Sequence, residues 1–126
     1  MMKQDIQTRQ DLFVLLTKFY DTLLKDQSIS YIFTDVAKID MQHHLPIIVD
    51  FWEMVLFDAP TYKKNAIQPH LDLNSKSKFE KHHFDTWLAN FGQTVDELFE
   101  GKNAFAAKQK AKSIATIIQI KIAQTK

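Results

Sequence analysis

The chain has 126 residues, of which 45% are apolar and 25% charged, with a formal net charge of +1 and no cysteine. That length suits one domain, residues 1–126, which would bury roughly 65% of the surface of its unfolded form. The absence of cysteine excludes disulfides, iron–sulfur clusters and thiol catalysis. The lysines are spread out apart from a mild C-terminal cluster, unlike the concentrated basic face of a nucleic-acid binder. No run of ~20 apolar residues is present to span a bilayer, and no leader-like apolar stretch follows Met1-Met2-Lys3. The expectation is a cytoplasmic protein with neither nucleic acid nor membrane as partner.

Only two glycines and three prolines interrupt the chain, and ten phenylalanines accompany few valines. Bulky planar core residues without β-branched runs predict an all-α fold. The first element is predicted from Thr8 to about Lys25, with Thr8 and Asp11 forming an acid-bearing N-terminal cap. Its buried face would be Leu12, Leu15, Leu16, Phe19 and Leu23, at three- and four-residue steps. Tyr20 sits one position off that stripe and should project from its border.

A short turn follows at Ser28 to Phe33, capped by Ser28, with Ile29, Ile32 and Phe33 inward. A second long helix is predicted from Asp40 to about Phe57. Pro46 either places its start near His43 or kinks it. Ile47, Ile48, Phe51, Trp52, Val55 and Leu56 make a wide apolar stripe, and Asp58-Ala59-Pro60 ends it. A short helix is expected near Ile67 to Leu71, then a long one from Ser75 to Phe91 closed by Gly92. Thr94 and Glu97 read as the capping box of a last helix reaching about Ala123, with a break near Gly101.

Histidines stand at 43, 44, 70, 82 and 83. None are three to five residues apart, as helical zinc pairs are, and adjacent ones point about 100° apart on a helix. No Gly-x-Ser-x-Gly turn or glycine-rich phosphate loop is present. A single histidine with a large apolar slot could still hold haem, which needs only one protein bond to its iron.

The order of the signals is more specific. Phe19-Tyr20 comes first, then His44-Leu45-Pro46 with Phe51-Trp52, Tyr62, Pro69-His70, and Phe84-x-x-Trp87-Leu88-x-x-Phe91. Thr94-Val95-Asp96-Glu97-Leu98-Phe99 and Gly101 complete the series. From about residue 8 to 120 this pattern resembles the group III truncated haemoglobins. The Tyr-x-Gly-Asn-Pro segment frequent in that family reads here Tyr62-Lys63-Lys64-Asn65-Ala66, without its glycine and proline.

The resemblance implies a truncated globin fold, a two-over-two helical sandwich around haem b (iron protoporphyrin IX). By its motif His70 would be the iron ligand. Tyr20, His44 and Trp87 would line the distal side, where a diatomic ligand such as dioxygen binds. Phe33 would stack beside the haem, and Ile48 would share the helix face of His44, four residues on. Phe51, Trp52 and Phe79 would wall the pocket, and Tyr62 with Lys63 or Lys64 would reach the propionates. Several donors around the ligand predict tight holding rather than bulk oxygen transport. Two alternatives stand beside this ligand binder: a haem redox enzyme acting on nitric oxide or peroxide with a partner reductase, and a cofactor-free helical interaction module.

Overall fold

The computed structural model describes residues 3–32, 41–58 and 80–124. These residues form four helices, α1 (Arg9–Leu24), α2 (Met41–Phe57), α3 (Lys81–Leu98) and α4 (Lys102–Gln124), and no strand. The predicted helix near Ile67–Leu71 and the residue Phe33 lie outside the described residues.

Helix α1 starts where its sequence places the cap. Thr8 Oγ1 accepts from the Asp11 backbone N–H (3.2 Å), and Asp11 Oδ2 accepts from the N–H groups of Thr8 (3.1 Å) and Gln7 (2.9 Å). Two backbone donors that the first helical turn would leave unpaired are thereby satisfied. Leu12, Leu15, Leu16, Phe19 and Leu23 are all buried, and Tyr20 joins them rather than standing at the border. After α1 comes a short segment, residues 26–32, that turns at 26–29 and is helical again from Ser30. Asp26, not Ser28, organises this turn: its Oδ1 accepts from the Ser28 N–H (3.0 Å) and hydroxyl (2.7 Å). Ile29 and Ile32 point inward, as their sequence pattern predicts.

Helix α2 begins at Met41 and carries Pro46 within it. It ends where Asp58 adopts a left-handed backbone (φ 57°) while its N–H still donates to Met54 O at 3.0 Å. Aspartate tolerates that conformation better than most side chains. Helices α1 and α2 run antiparallel. Arg9 near the start of α1 reaches Asp50 (2.7 Å) and Glu53 (2.9 Å) late in α2, whereas Tyr20 near the end of α1 meets His44 early in α2.

The second half departs from its sequence reading. Glu80 has an extended backbone (φ −107°, ψ 165°), so no continuous helix runs from Ser75, and α3 starts at Lys81. Gly92 does not end it. The residues beyond Gly92 continue to bury the same face, Phe91 and Val95 both being fully enclosed, and that burial outweighs the ~1 kcal/mol cost of a helical glycine. Thr94 accordingly caps nothing; it is buried, and its hydroxyl donates to Asn90 O (2.8 Å). The break falls at Phe99–Gly101, and α3 and α4 then fold back on each other, with Lys108 Nζ pairing to Asp96 at 2.6 Å. The α1–α2 pair packs on the α3–α4 pair, chiefly through α1 on α3 and α2 on α4. This is the expected two-over-two sandwich.

The α3–α4 corner is locked by a residue from outside both helices. The Asp5 carboxylate accepts from the backbone N–H groups of Asn103 (2.9 Å), Ala104 (2.8 Å) and Ile6 (2.8 Å). It thus caps α4 from about 98 residues away in sequence. Gly101 makes room for it: its φ is +144°, and a Cβ there would lie 2.5 Å from Asp5 Cγ. Burial works against the Asp5 charge, but the three N–H groups and the nearby Lys102 outweigh it and hold the carboxyl below its usual range. The cap therefore contributes fully above the ordinary carboxylate pKa and is lost as pH falls through the depressed native value. Asp5→Ala is expected to cost about 1–2 kcal/mol of stability. The measurement is urea unfolding at neutral pH, and an unchanged midpoint would refute the cap.

Candidate functional site

Tyr20 and His44 are brought together from α1 and α2. Their rings stand edge to face with centroids 5.4 Å apart, and His44 Nε2 lies 3.3 Å from Tyr20 Oη. Tyr20 is buried, His44 half-buried. Burial pushes the Tyr20 phenol up, far from neutral pH. The hydroxyl therefore keeps its proton and is a neutral donor.

Aromatic rings adjoin this pair. Phe19 packs against Tyr20 (5.1 Å), Trp87 (5.8 Å) and Phe91 (5.3 Å). Trp87 and Phe91 stack nearly parallel at 5.6 Å, and Trp52 stacks on Phe91 at 5.0 Å. Trp52 is buried and belongs to the core, while Trp87, Ile48 and Phe51 are partly buried against it. The indole of Trp87 thus sits at the margin of an apolar aromatic stack with a donor N–H to offer. His70, Phe33, Tyr62 and Phe79 lie outside the described residues. Among the described residues no three of His, Asp and Glu form a metal-holding group, and no helix is long and apolar enough to cross a membrane.

His83 is a buried histidine that the sequence reading misses, since next to His82 it reads as solvated. His82 is exposed, but His83 is only 4% exposed. Its Nδ1 accepts from the Glu80 backbone N–H (3.0 Å), and its Nε2 lies 2.9 Å from Tyr31 Oη. An Nδ1 that accepts carries no hydrogen, so the neutral ring has its proton on Nε2 and donates it to Tyr31. Burial, then the neighbouring His82, hold its imidazolium below the ordinary histidine pKa against an opposing pull from Glu80. The only signal in the sequence is its position three residues after the extended Glu80, where a side-chain acceptor can cap a helix.

The same fold recurs in a solved structure. No protein-family profile matches the chain, and no curated protein sequence does. The crystal structure of a group III truncated hemoglobin from Campylobacter jejuni superposes with a TM-score of 0.83, covering 96% of this chain and 95% of that one at 23% identity. The fold is therefore that of a truncated globin.

Proposed function

We propose that the chain is a haem protein that binds dioxygen or another diatomic ligand. The observation that carries this reading is the Tyr20–His44 pair: a neutral buried phenol and an imidazole beside an aromatic wall, within a truncated-globin fold. These residues fit the group. A flat apolar macrocycle needs apolar walls and one polar spot for its ligand, and it needs no charged side chain among them. Phe19, Trp87 and Phe91 offer the first, Tyr20 and His44 the second.

Bound haem b supplies an iron atom that takes a diatomic molecule, and by its sequence motif His70 is the protein ligand that holds it. His70 must be neutral to offer a lone pair, and a hydrogen bond from its other nitrogen would fix its ring. With its proton on Nε2, His44 donates to Tyr20, and the phenol in turn donates to a ligand carrying partial negative charge. Trp87 is the second donor, and its ring keeps water out. Ile48, Phe51, Trp52 and, by motif, Phe33 and Phe79 form the apolar walls, with Tyr62 near the propionates. Two donors hold the ligand and slow its release, which favours ligand chemistry over bulk transport. A reductase partner belongs to this reading only where the iron turns over.

The test is the absorption spectrum of the ferrous, haem-loaded protein before and after carbon monoxide. A reversible shift of the Soret band is expected. A haem-loaded protein whose spectrum ignores carbon monoxide would overturn the assignment of a ligand site.

A further inference from the structure

Helix α3 meets the 26–32 turn on both sides of Trp87 and is hydrogen-bonded to it on the side of His83. His83, Trp87 and Asn90 follow one another at helical steps of four and three and so share a face. One turn before Trp87, His83 Nε2–H donates to Tyr31 Oη at 2.9 Å. On its other side, the Asn90 amide donates to Thr86 O of its own helix (2.9 Å) and lies toward the Asp26 carboxylate, which after the two Ser28 bonds it helps keep below its ordinary range. The backbone of the same turn seats Ile29 and Ile32 in the core. Trp87 thus lies between a side-chain hydrogen bond to that turn at His83 and an approach to its Asp26 carboxylate at Asn90.

The two ends differ in chemistry. The Asp26–Asn90 end keeps its form through the physiological range. The His83 end needs one protonation state, because Nδ1 can accept from the Glu80 N–H only while it carries no proton. Protonation would put a hydrogen on Nδ1 opposite another N–H and place a buried cation at the positive end of α3. The ionisable groups around the ring among the described residues are Glu80 and His82 on α3 and Tyr31 on the turn. His82 is engaged with the Glu80 carboxylate (3.3 Å), and Lys81 pairs with Asp85 (2.8 Å). On charging, the ring must leave the Glu80 N–H, and Tyr31, bonded to that ring, must move with it.

We propose that His83 is a positioning residue for Trp87: as a neutral imidazole seated on the Glu80 N–H it fixes the tie between the start of α3 and the 26–32 turn, and on acidification the ring leaves that N–H and the tie shifts with it. The native imidazolium pKa is depressed, so the seat on the Glu80 N–H is complete above the ordinary histidine value, near 6.5, and is lost as pH falls through the lower native value. The consequence for a ligand, faster release in acid because Trp87 is less well placed, rests on the haem reading above. The tie itself does not.

The experiment is a pH titration of the Trp87 indole N–H resonance in the full-length protein, from about pH 8 to about pH 5, a range that brackets the histidine pKa. The wild type is expected to show one transition below the ordinary histidine value. His83→Gln should be flat over this range and stay near the neutral-form position, because a glutamine can accept from the Glu80 N–H and donate to Tyr31 without titrating. Tyr31→Phe keeps the titrating ring but cuts the link, and should shrink the Trp87 shift several-fold. A Trp87 resonance that stays still while His83 titrates would overturn the proposal, as would a wild-type transition in His83→Gln. Failure of the protein to load haem would leave these resonances as predicted and would count only against the haem reading.

Discussion

His70→Gly is expected to lower haem affinity by at least about 100-fold, beyond the 10–100-fold that loss of an outer-sphere partner typically costs. The expectation follows from the single protein–iron bond a haem of this kind has. His70 carries the assignment through its place in the ordered series Tyr20, His44, Pro69-His70 and Trp87. Three of the four other histidines have different engagements. His44 faces Tyr20, His83 caps α3, and His82 is exposed beside Glu80. Free imidazole, which can refill the space of a deleted imidazole ring, should restore a histidine-type spectrum to the glycine variant. A variant that keeps native affinity and an unchanged iron–nitrogen stretch by resonance Raman would remove His70 as the ligand.

The second large effect belongs to the distal side. Tyr20→Phe keeps the ring that packs on Phe19 and His44 and deletes one hydroxyl. A hydrogen bond to a charged acceptor is worth roughly 1.5–3 kcal/mol. At about 1.4 kcal/mol per factor of ten, dioxygen release should accelerate about 10- to 150-fold. Stopped-flow displacement of dioxygen by carbon monoxide measures this directly. An unchanged release rate would show that the phenol only packs against His44. The fold should survive, because the phenylalanine retains the buried apolar area that Tyr20 contributes.

Much of the first half was legible in the sequence because each signal there is local. Thr8 and Asp11 lie three residues apart and cap the helix they introduce, and the stripe from Leu12 to Leu23 has one period and one buried face. Tyr20 and His44 are far apart in sequence, and only the resemblance to a known family linked them; the antiparallel packing of α1 on α2 places them 3.3 Å apart. The second half misled wherever a local rule met a tertiary one. Gly92 and the Thr94–Glu97 pair are sound local stop and start signals, yet burial of Phe91, Thr94 and Val95 carries α3 through them. Gly101 reads locally as a break, but its reason, the approach of Asp5, is a contact with the other end of the chain. His83 was unreadable for the same cause. Its partners are a backbone N–H that an extended Glu80 exposes and a phenol on a turn 52 residues earlier.

The most direct test of the central claim is titration of haemin into the haem-free protein, followed at the Soret band. One equivalent should be taken up to a sharp end point, with the spectrum of a histidine-ligated haem. A protein that stays colourless at the end point, with haemin remaining free or bound without saturation, would contradict the account and leave a helical module whose aromatic stack serves only its core.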